Sequence, residues 1–175
     1  MNDRSVMERA VIREARPEDD AAIGELLVEA FVTQYARKLP EVVYTEERKS
    51  ALRDVANKRA IATVLVAEVD GEVAGTVALF PPGAPGSEAW TPNTADLRHL
   101  ATAVRYHGTG LARPLLDAIE AVARQWGVEA IALHVRRGAQ GVARMYMGRG
   151  YVRTPEGDRD LPTVFLEAYL LRLKG

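Results

Sequence analysis

Residues Val104–Val122 read VRYHGTGLARPLLDAIEAV. The second half has the pattern of an amphipathic helix. Leu111, Leu115, Ile119 and Val122 fall on one face at i, i+4, i+8 and i+11, with Leu116 beside them. Gly108 and Gly110 stand where that helix starts, and inside a helix each would cost about 1 kcal/mol relative to alanine. Either the chain simply turns there, or something must come close to the backbone. At a helix N-terminus that something would be an anion, because free N–H groups and the positive end of the helix dipole converge there.

The flanking segments place this helix between two strands. Ala95–Val104 (ADLRHLATAV) reads as a strand running into the glycine turn, and Gly127 ends the helix after Trp126. Ala130–Val135 (AIALHV) is near-continuously apolar, as in a strand covered on both faces. Strand, helix and strand make a βαβ unit with a parallel pair. Upstream, Ala62–Phe80 holds two β-branched runs joined by Asp70-Gly71, a hairpin turn pair, and Gly75 suggests a bulge in the second run. Ala10–Ala15 reads as a short strand. Pro17 opens a helix with Glu18, Asp19 and Asp20 in its first turn and Ile23, Leu26, Leu27, Ala30 and Phe31 on its buried face. Thr45 caps a second helix expected to run to about Arg59. Pro81–Thr94 is a Pro- and Gly-rich loop. A helix over Ala139–Arg149, a short strand from Tyr151, a polar turn PEGDRDLP and a last strand TVFLEAYLLRL complete the chain. The order is mixed α+β in one domain spanning 1–175.

Composition narrows the chemistry. The 175 residues carry a net charge of −1, so no global field recruits nucleic acid or an anionic membrane. Only Lys38, Lys49, Lys58 and Lys174 are lysines among the basic residues. Cysteine is absent, which removes disulfides, thiolate metal sites and a Cys nucleophile. His99, His107 and His134 lack the HExxH and His-x-His spacings of metal sites, so no metal is expected. No run reaches transmembrane length and the first residues lack an apolar signal core, so the expected location is cytoplasmic.

Three phosphate-binding patterns compete for the glycine turn. No GxxxxGK[ST] string exists. A dinucleotide fingerprint fails because Arg113 stands where the third glycine belongs, and because the loop lies mid-chain after a hairpin. The third needs more of the chain. LATAVRYHGTGLARPLL resembles the acyl-CoA pyrophosphate loop of the GNAT superfamily of N-acetyltransferases, a pattern of the form L-A-V-x-P-x-x-R-G-x-G-I-G with core Q/R-x-x-G-x-G/A. Gly110 and Ala112 match the core; His107 replaces the usual Arg or Gln, Val104 a frequent Pro, and Arg113 fits the basic residue that often follows. VIREARPEDDAAIGELLVEAF resembles the opening strand and helix of that family, LVAEVDGEVAGTVAL its second and third strands, and ARMYMGRGYVR its late helix.

The resemblance implies a mostly antiparallel sheet of about six to seven strands with one parallel βαβ pair and about four helices. It implies acetyl-CoA as co-substrate and transfer of the acetyl group to a primary amine by direct attack; a non-catalytic acyl-CoA sensor is the alternative. His107, Gly108, Thr109, Gly110, Leu111, Ala112 and Arg113 would hold the pyrophosphate through an anion nest of backbone N–H groups. A histidine at 107 supplies less positive charge than arginine would. Backbone groups around Leu100, Ala101 and Thr102 would hold the thioester carbonyl, on a strand that splays from its neighbour. Tyr146 would protonate the leaving thiolate; it could instead pack against the sheet. Asp96 takes the position of a base, or forms an ion pair with Arg98. By strand alternation Asp96, Arg98 and Leu100 share one face, and His99, the weaker alternative for the base, points away. Tyr35, Tyr44 and Trp90 are candidates for lining the acceptor site. The partner is a small-molecule or peptide amine, with the chain a monomer or homodimer.

Overall fold

The computed structural model describes residues 3–34, 37 and 45–173. Their contacts divide into two compact units, one of residues 1–78 with 99–119 and one of 79–98 with 120–175. Among the described residues, eight strands, β1 (Val11–Glu14), β2 (Thr63–Val69), β3 (Glu72–Phe80), β4 (Thr94–Thr102), β5 (Ala130–Arg136), β6 (Val152–Arg153), β7 (Arg159–Leu161) and β8 (Val164–Arg172), pair in the order β1-β2-β3-β4-β5-β8-β6, with β7 on β8.

The first unit begins with α1 (Asp3–Arg9), which the sequence reading missed. Seven residues give too few turns for a periodic signal, and among its described side chains only Val6 is fully buried. β1 (Val11–Glu14) pairs antiparallel with β2 (Thr63–Val69). The helix at Pro17 starts as a 3-10 turn and becomes α2 (Asp20–Val28), which then widens into a π-turn over Glu29–Thr33. Arg13 grips Asp19 with two nitrogens, at 2.7 and 3.0 Å, and fixes this start.

The helix expected from Thr45 to Arg59 is two helices. Thr45 caps α3 (Glu46–Arg53) as anticipated, its hydroxyl accepting from the Arg48 N–H at 3.2 Å. Asp54, at ψ 61°, then breaks the run before α4 (Val55–Ile61). Asp54 turns its carboxylate to the Asn57 amide at 2.7 Å, the local competition with helix geometry that makes Asp a poor interior residue. Arg53 and Arg59 tie these helices to Glu25 and Asp20 of α2, at 2.8 and 2.6 Å.

β2 and β3 (Glu72–Phe80) are joined as expected through Asp70 and Gly71, both at positive φ, the signature of a type I′ turn. Gly75 has a different reason from the bulge expected of it. A Cβ there would stand 2.9 Å from Leu115 Cδ1 and 3.2 Å from the Ala101 carbonyl, so the small residue makes room for a helix and a neighbouring strand. That helix, α5 (Ala112–Trp126), buries Leu115, Leu116 and Ile119, and Leu111 is buried just before it. Val122 is only half-buried, and Ala123 takes the next fully buried place.

In the second unit the start of β4 (Thr94–Thr102) pairs in parallel with β5 (Ala130–Arg136) over Thr94↔Ala130 to Asp96↔Ala132. β8 (Val164–Arg172) lies antiparallel along the whole of β5. α6 (Gln140–Gly148) leads to β6 (Val152–Arg153). Part of the expected polar turn is a strand, β7 (Arg159–Leu161), on β8. The polar residues that suggested a loop are instead neutralised in place. Arg153 binds both oxygens of Asp158, at 2.6 and 2.7 Å, and Asp158 accepts the Ala168 N–H at 2.9 Å.

Candidate active site

The glycine loop lies in the first unit. After Thr102 the chain makes a 3-10 turn at Val104–Tyr106 and enters α5 at Ala112. Its own hydrogen bonds set its shape. The His107 N–H donates to the Val104 carbonyl at 3.0 Å, the Thr109 N–H to Tyr106 at 3.2 Å, and the Arg113 N–H to Gly110 at 3.1 Å. The buried Thr109 hydroxyl also donates to the Tyr106 carbonyl, at 2.6 Å. Gly108 and Gly110 have φ of 78° and 82°, and among the described residues no heavy atom beyond the adjacent residues lies within 4 Å of where either Cβ would stand. The dihedral therefore demands glycine there, and the space in front of both is open. Left-handed glycines thus alternate in the turn that leads into a 15-residue helix, while the Thr109 and Arg113 N–H groups are spent inside the turn.

His107 is exposed, and its Nε2 lies 3.1 Å from the Thr102 carbonyl oxygen. The side chain thus ties the loop to the end of β4. Arg113 is exposed on the first turn of α5. Arg105 pairs with Glu72 and stands over the Tyr106 ring, 5.0 Å from its centroid. A cavity of about 430 Å³ opens between the end of α2 with its π-turn and residues 102–107; Glu29, Thr102 and His107 are among its lining.

β4 departs from the alternation expected of it. His99 is at φ 58°, a left-handed conformation in mid-strand. The face assignment that turned His99 away from the side of Leu100 therefore stops at this residue. His99 instead meets Lys58 of α4, whose Nζ lies 3.2 Å from its Nδ1, and the Phe31 ring, with centroids 6.0 Å apart. Burial pushes the Lys58 ammonium down to about 8. Sequence reasoning missed Lys58. Its signal was a lysine three residues after Val55, on the buried face of α4.

In the second unit, Asp96 is 1% exposed. Its Oδ2 accepts the Glu88 N–H at 2.8 Å and the Arg98 Nε–H at 2.7 Å. Burial raises the carboxyl above the ordinary carboxylate range while the Arg98 charge opposes it. Glu88 links the same cluster further. Its carboxylate pairs with Arg98 at 3.0 Å and Arg159 at 2.7 Å, and lies 3.6 Å from His134 Nδ1. Trp90 packs edge-on to His134, at 5.4 Å between centroids, and lies over Gly157, where a Cβ would be 2.3 Å from the indole. It also packs against the buried Ala130, Ala132 and Leu170. Tyr35 and Tyr44 fall outside the described residues.

Tyr146 of α6 is buried and meets the Tyr151 ring in a T-shaped contact, centroids 5.3 Å apart. Burial, with the nearby Glu120 charge, raises its phenol well above the usual value and keeps it protonated. Arg149 grips both oxygens of Glu120 at 2.9 Å, and the Tyr151 hydroxyl donates to Glu120 at 3.2 Å, which fixes the end of α6. Among the described residues no group of three or more His, Asp or Glu side chains could hold a metal ion, and no helix is long and apolar enough to cross a membrane.

Residues 21–151 match the family model described as Acetyltransferase (GNAT) family. No curated protein matches the chain. Solved structures share the fold. An acetyltransferase of the GNAT family from Staphylococcus aureus Mu50 superposes with a TM-score of 0.72 at 14% identity, over 94% of this chain and 99% of that one. The ribosomal-protein-S18-alanine N-acetyltransferase of Escherichia coli gives 0.71 at 14% identity, over 95% of each chain. The PaiA N-acetyltransferase of Thermoplasma acidophilum, in complex with coenzyme A, gives 0.65 at 19% identity, over 91% and 97%.

Proposed function

Since the chain belongs to the GNAT family of acetyltransferases, we propose that it moves an acetyl group from acetyl-CoA to a primary amine by direct attack. The observation that carries this reading is the pair of left-handed glycines, Gly108 and Gly110, with open space before them at the start of α5. A pyrophosphate concentrates negative charge, and backbone N–H groups can meet it without a side chain of a particular type. The substitution of His at 107 is compatible with that, because this side chain already serves the loop through the Thr102 carbonyl. The acyl arm lies, in this reading, along Leu100–Thr102, whose backbone N–H groups polarise the thioester carbonyl.

Tyr146 is the acid for the leaving thiolate in this reading. Its raised pKa supports a phenol that still carries its proton at every working pH. Asp96 we read as an anchor rather than the base, since its Oδ2 is engaged by both the Glu88 N–H and Arg98 and so holds the 81–94 loop to β4. The acceptor is a small molecule or a peptide amine, the site of action the cytoplasm, and the working form a monomer or homodimer of a single domain.

The test is a calorimetric titration with acetyl-CoA, with NADH as control, followed by thiol release in the presence of an aliphatic diamine, benzylamine or a peptide α-amine. Saturable, CoA-selective binding with amine-dependent thiol release is expected. Binding without turnover over a wide acceptor panel would turn the reading into that of an acyl-CoA sensor. No binding by the folded chain would overturn both.

A further inference from the structure

The cavity between the end of α2 and residues 102–107 lies within the first unit and measures about 430 Å³. Small-molecule sites span about 300–1,000 Å³. Leu26, Ala30, Val73 and Val104 give it apolar walls. Among the described residues its wall carries one carboxylate, Glu29, and one guanidinium, Arg105. Arg105 is already paired with Glu72, so Glu29 sets the sign of the charge. Neither Gly108 nor Gly110 lines the cavity, so it is a different place from the glycine turn. A carboxylate in the wall also repels phosphate.

The π-turn holds that carboxylate in place. In an α-helix, side chains meet at spacings of three and four, and residues five apart do not. Over Glu29–Thr33 the wider turn changes this. The Gln34 N–H donates to the Glu29 carbonyl, and the Gln34 side-chain amide then donates to the Glu29 carboxylate at 2.8 Å. Such bulges inside helices are frequent at functional sites. The other acids of α2 are held by cations, Asp20 by Arg59 and Glu25 by Arg53. Glu29, half-buried, has an amide brace and, among the described residues, no cation.

We propose that this cavity takes the tail of the acceptor, and that Glu29 selects a small aliphatic amine with a second positive charge at its far end. This rests on the acetyl-transfer reading. Thr102 belongs both to the stretch along which that reading lays the acyl arm and to the cavity wall. An amine at the thioester then has its methylene chain against the apolar wall, where burial favours it. Its second ammonium donates to the Glu29 carboxylate, a charge-assisted hydrogen bond in a half-buried place. A neutral tail desolvates Glu29 without giving it a partner, and an anionic tail meets like charge.

The experiment compares kcat/KM for three acceptors of the same chain length, the terminal diaminobutane, butylamine and γ-aminobutyrate, at neutral pH and low ionic strength. The proteins are wild type, Glu29→Gln, Glu29→Lys and Glu25→Gln, with affinity for acetyl-CoA measured in parallel. Wild type should favour diaminobutane over butylamine by about tenfold or more, the worth of a hydrogen bond to a charged group, with γ-aminobutyrate the poorest. Glu29→Gln should remove most of that preference at unchanged CoA affinity. Glu29→Lys should reverse the order of diaminobutane and γ-aminobutyrate. Glu25→Gln, one turn earlier on the same helix and exposed, should keep the wild-type ratio. Added salt gives a readout that needs no variant, since it should shrink the advantage of the diamine in wild type. A wild type indifferent to the second charge, a preference that survives in both Glu29 variants, or one that salt leaves unmoved would overturn the proposal, and with normal turnover it falls alone. Wild type that does not bind acetyl-CoA, or binds it and turns over no amine, sinks the acetyl-transfer reading with it.

Discussion

Replacing Gly110 with alanine separates a ligand-binding glycine from one that merely turns the chain. Gly110 is at φ 82°, and among the described residues no heavy atom beyond the adjacent residues lies within 4 Å of the position a Cβ would take. The substitution therefore brings no clash inside the protein, only the cost of a left-handed alanine, about 1–2 kcal/mol. For a chain of this length each kcal/mol lowers the melting temperature by about 2–4 °C. The variant should thus stay folded and melt a few degrees lower. Binding should suffer more. The Cβ enters the space before the N–H donors, and losing one hydrogen bond to a charged phosphate removes about 1.5–3 kcal/mol. At about 1.4 kcal/mol per decade, the Kd for acetyl-CoA should rise by about ten- to a hundredfold. Gly127→Ala is the matched control, since Gly127 is also left-handed, at φ 72°, and also open, but sits at the other end of α5. Calorimetry and thermal melts on both variants decide the matter. Equal losses in melting temperature with an unchanged Kd for Gly110→Ala would refute the anion-nest argument.

Tyr146→Phe should lower kcat by about 10²- to 10⁴-fold with CoA affinity intact, as steady-state kinetics and calorimetry would show; wild-type turnover would leave Tyr146 a packing residue. Gly75→Ala drives a Cβ to 2.9 Å from Leu115 Cδ1 and should destabilise by about 1–3 kcal/mol in denaturant unfolding, with partial rescue by Leu115→Val. Asp19 is held below its ordinary pKa chiefly by Arg13. Its contribution is therefore present above the unfolded-state value of about 4 and is lost as pH falls through the lower folded value. Arg13→Met should flatten the acid limb of the stability–pH curve and lower stability at neutral pH; denaturant midpoints across the acid range measure both.

The sequence announced elements with strong local chemistry. Asp70-Gly71 has a turn preference that no tertiary contact needs to override, and Leu111 through Ile119 repeat at helical spacing over several turns. The elements it hid are those made by partners distant in sequence. β7 exists because Arg153, Asp158 and β8 absorb polar residues that in isolation read as a turn. Asp54 splits a helix through one side-chain contact. The site follows the same division. Gly108 and Gly110 were legible because a backbone dihedral leaves its mark on residue type. His99 was not, since nothing in ADLRHLATAV marks a left-handed residue, and the alternation that seemed to aim its side chain away assumed an unbroken strand. Lys58 and His99 are 41 residues apart, and only the packing of α4 beside β4 joins them. The sequence offers Asp96 as a base or as an ion-pair partner of Arg98; the Arg98 pair is present at 2.7 Å, and sequence spacing supplies no ranking between the desolvation that raises its carboxyl and the neighbouring charge that lowers it.

The hydrogen bonds that hold the loop between Val104 and Arg113 have a consequence for how a ligand is met. Ordering a free residue costs about 1–2 kcal/mol of backbone entropy, so a floppy turn of half a dozen residues would subtract heavily from any affinity it offered. Here that cost is met when the chain folds, by the carbonyls of Val104, Tyr106 and Gly110 and by the Thr109 hydroxyl. In the proposed reading an arriving pyrophosphate meets a turn whose shape is already set. Association should proceed as lock and key at a rate set by encounter, and weakening the Thr109 hydroxyl bond to the Tyr106 carbonyl should slow binding by letting the receptor wander.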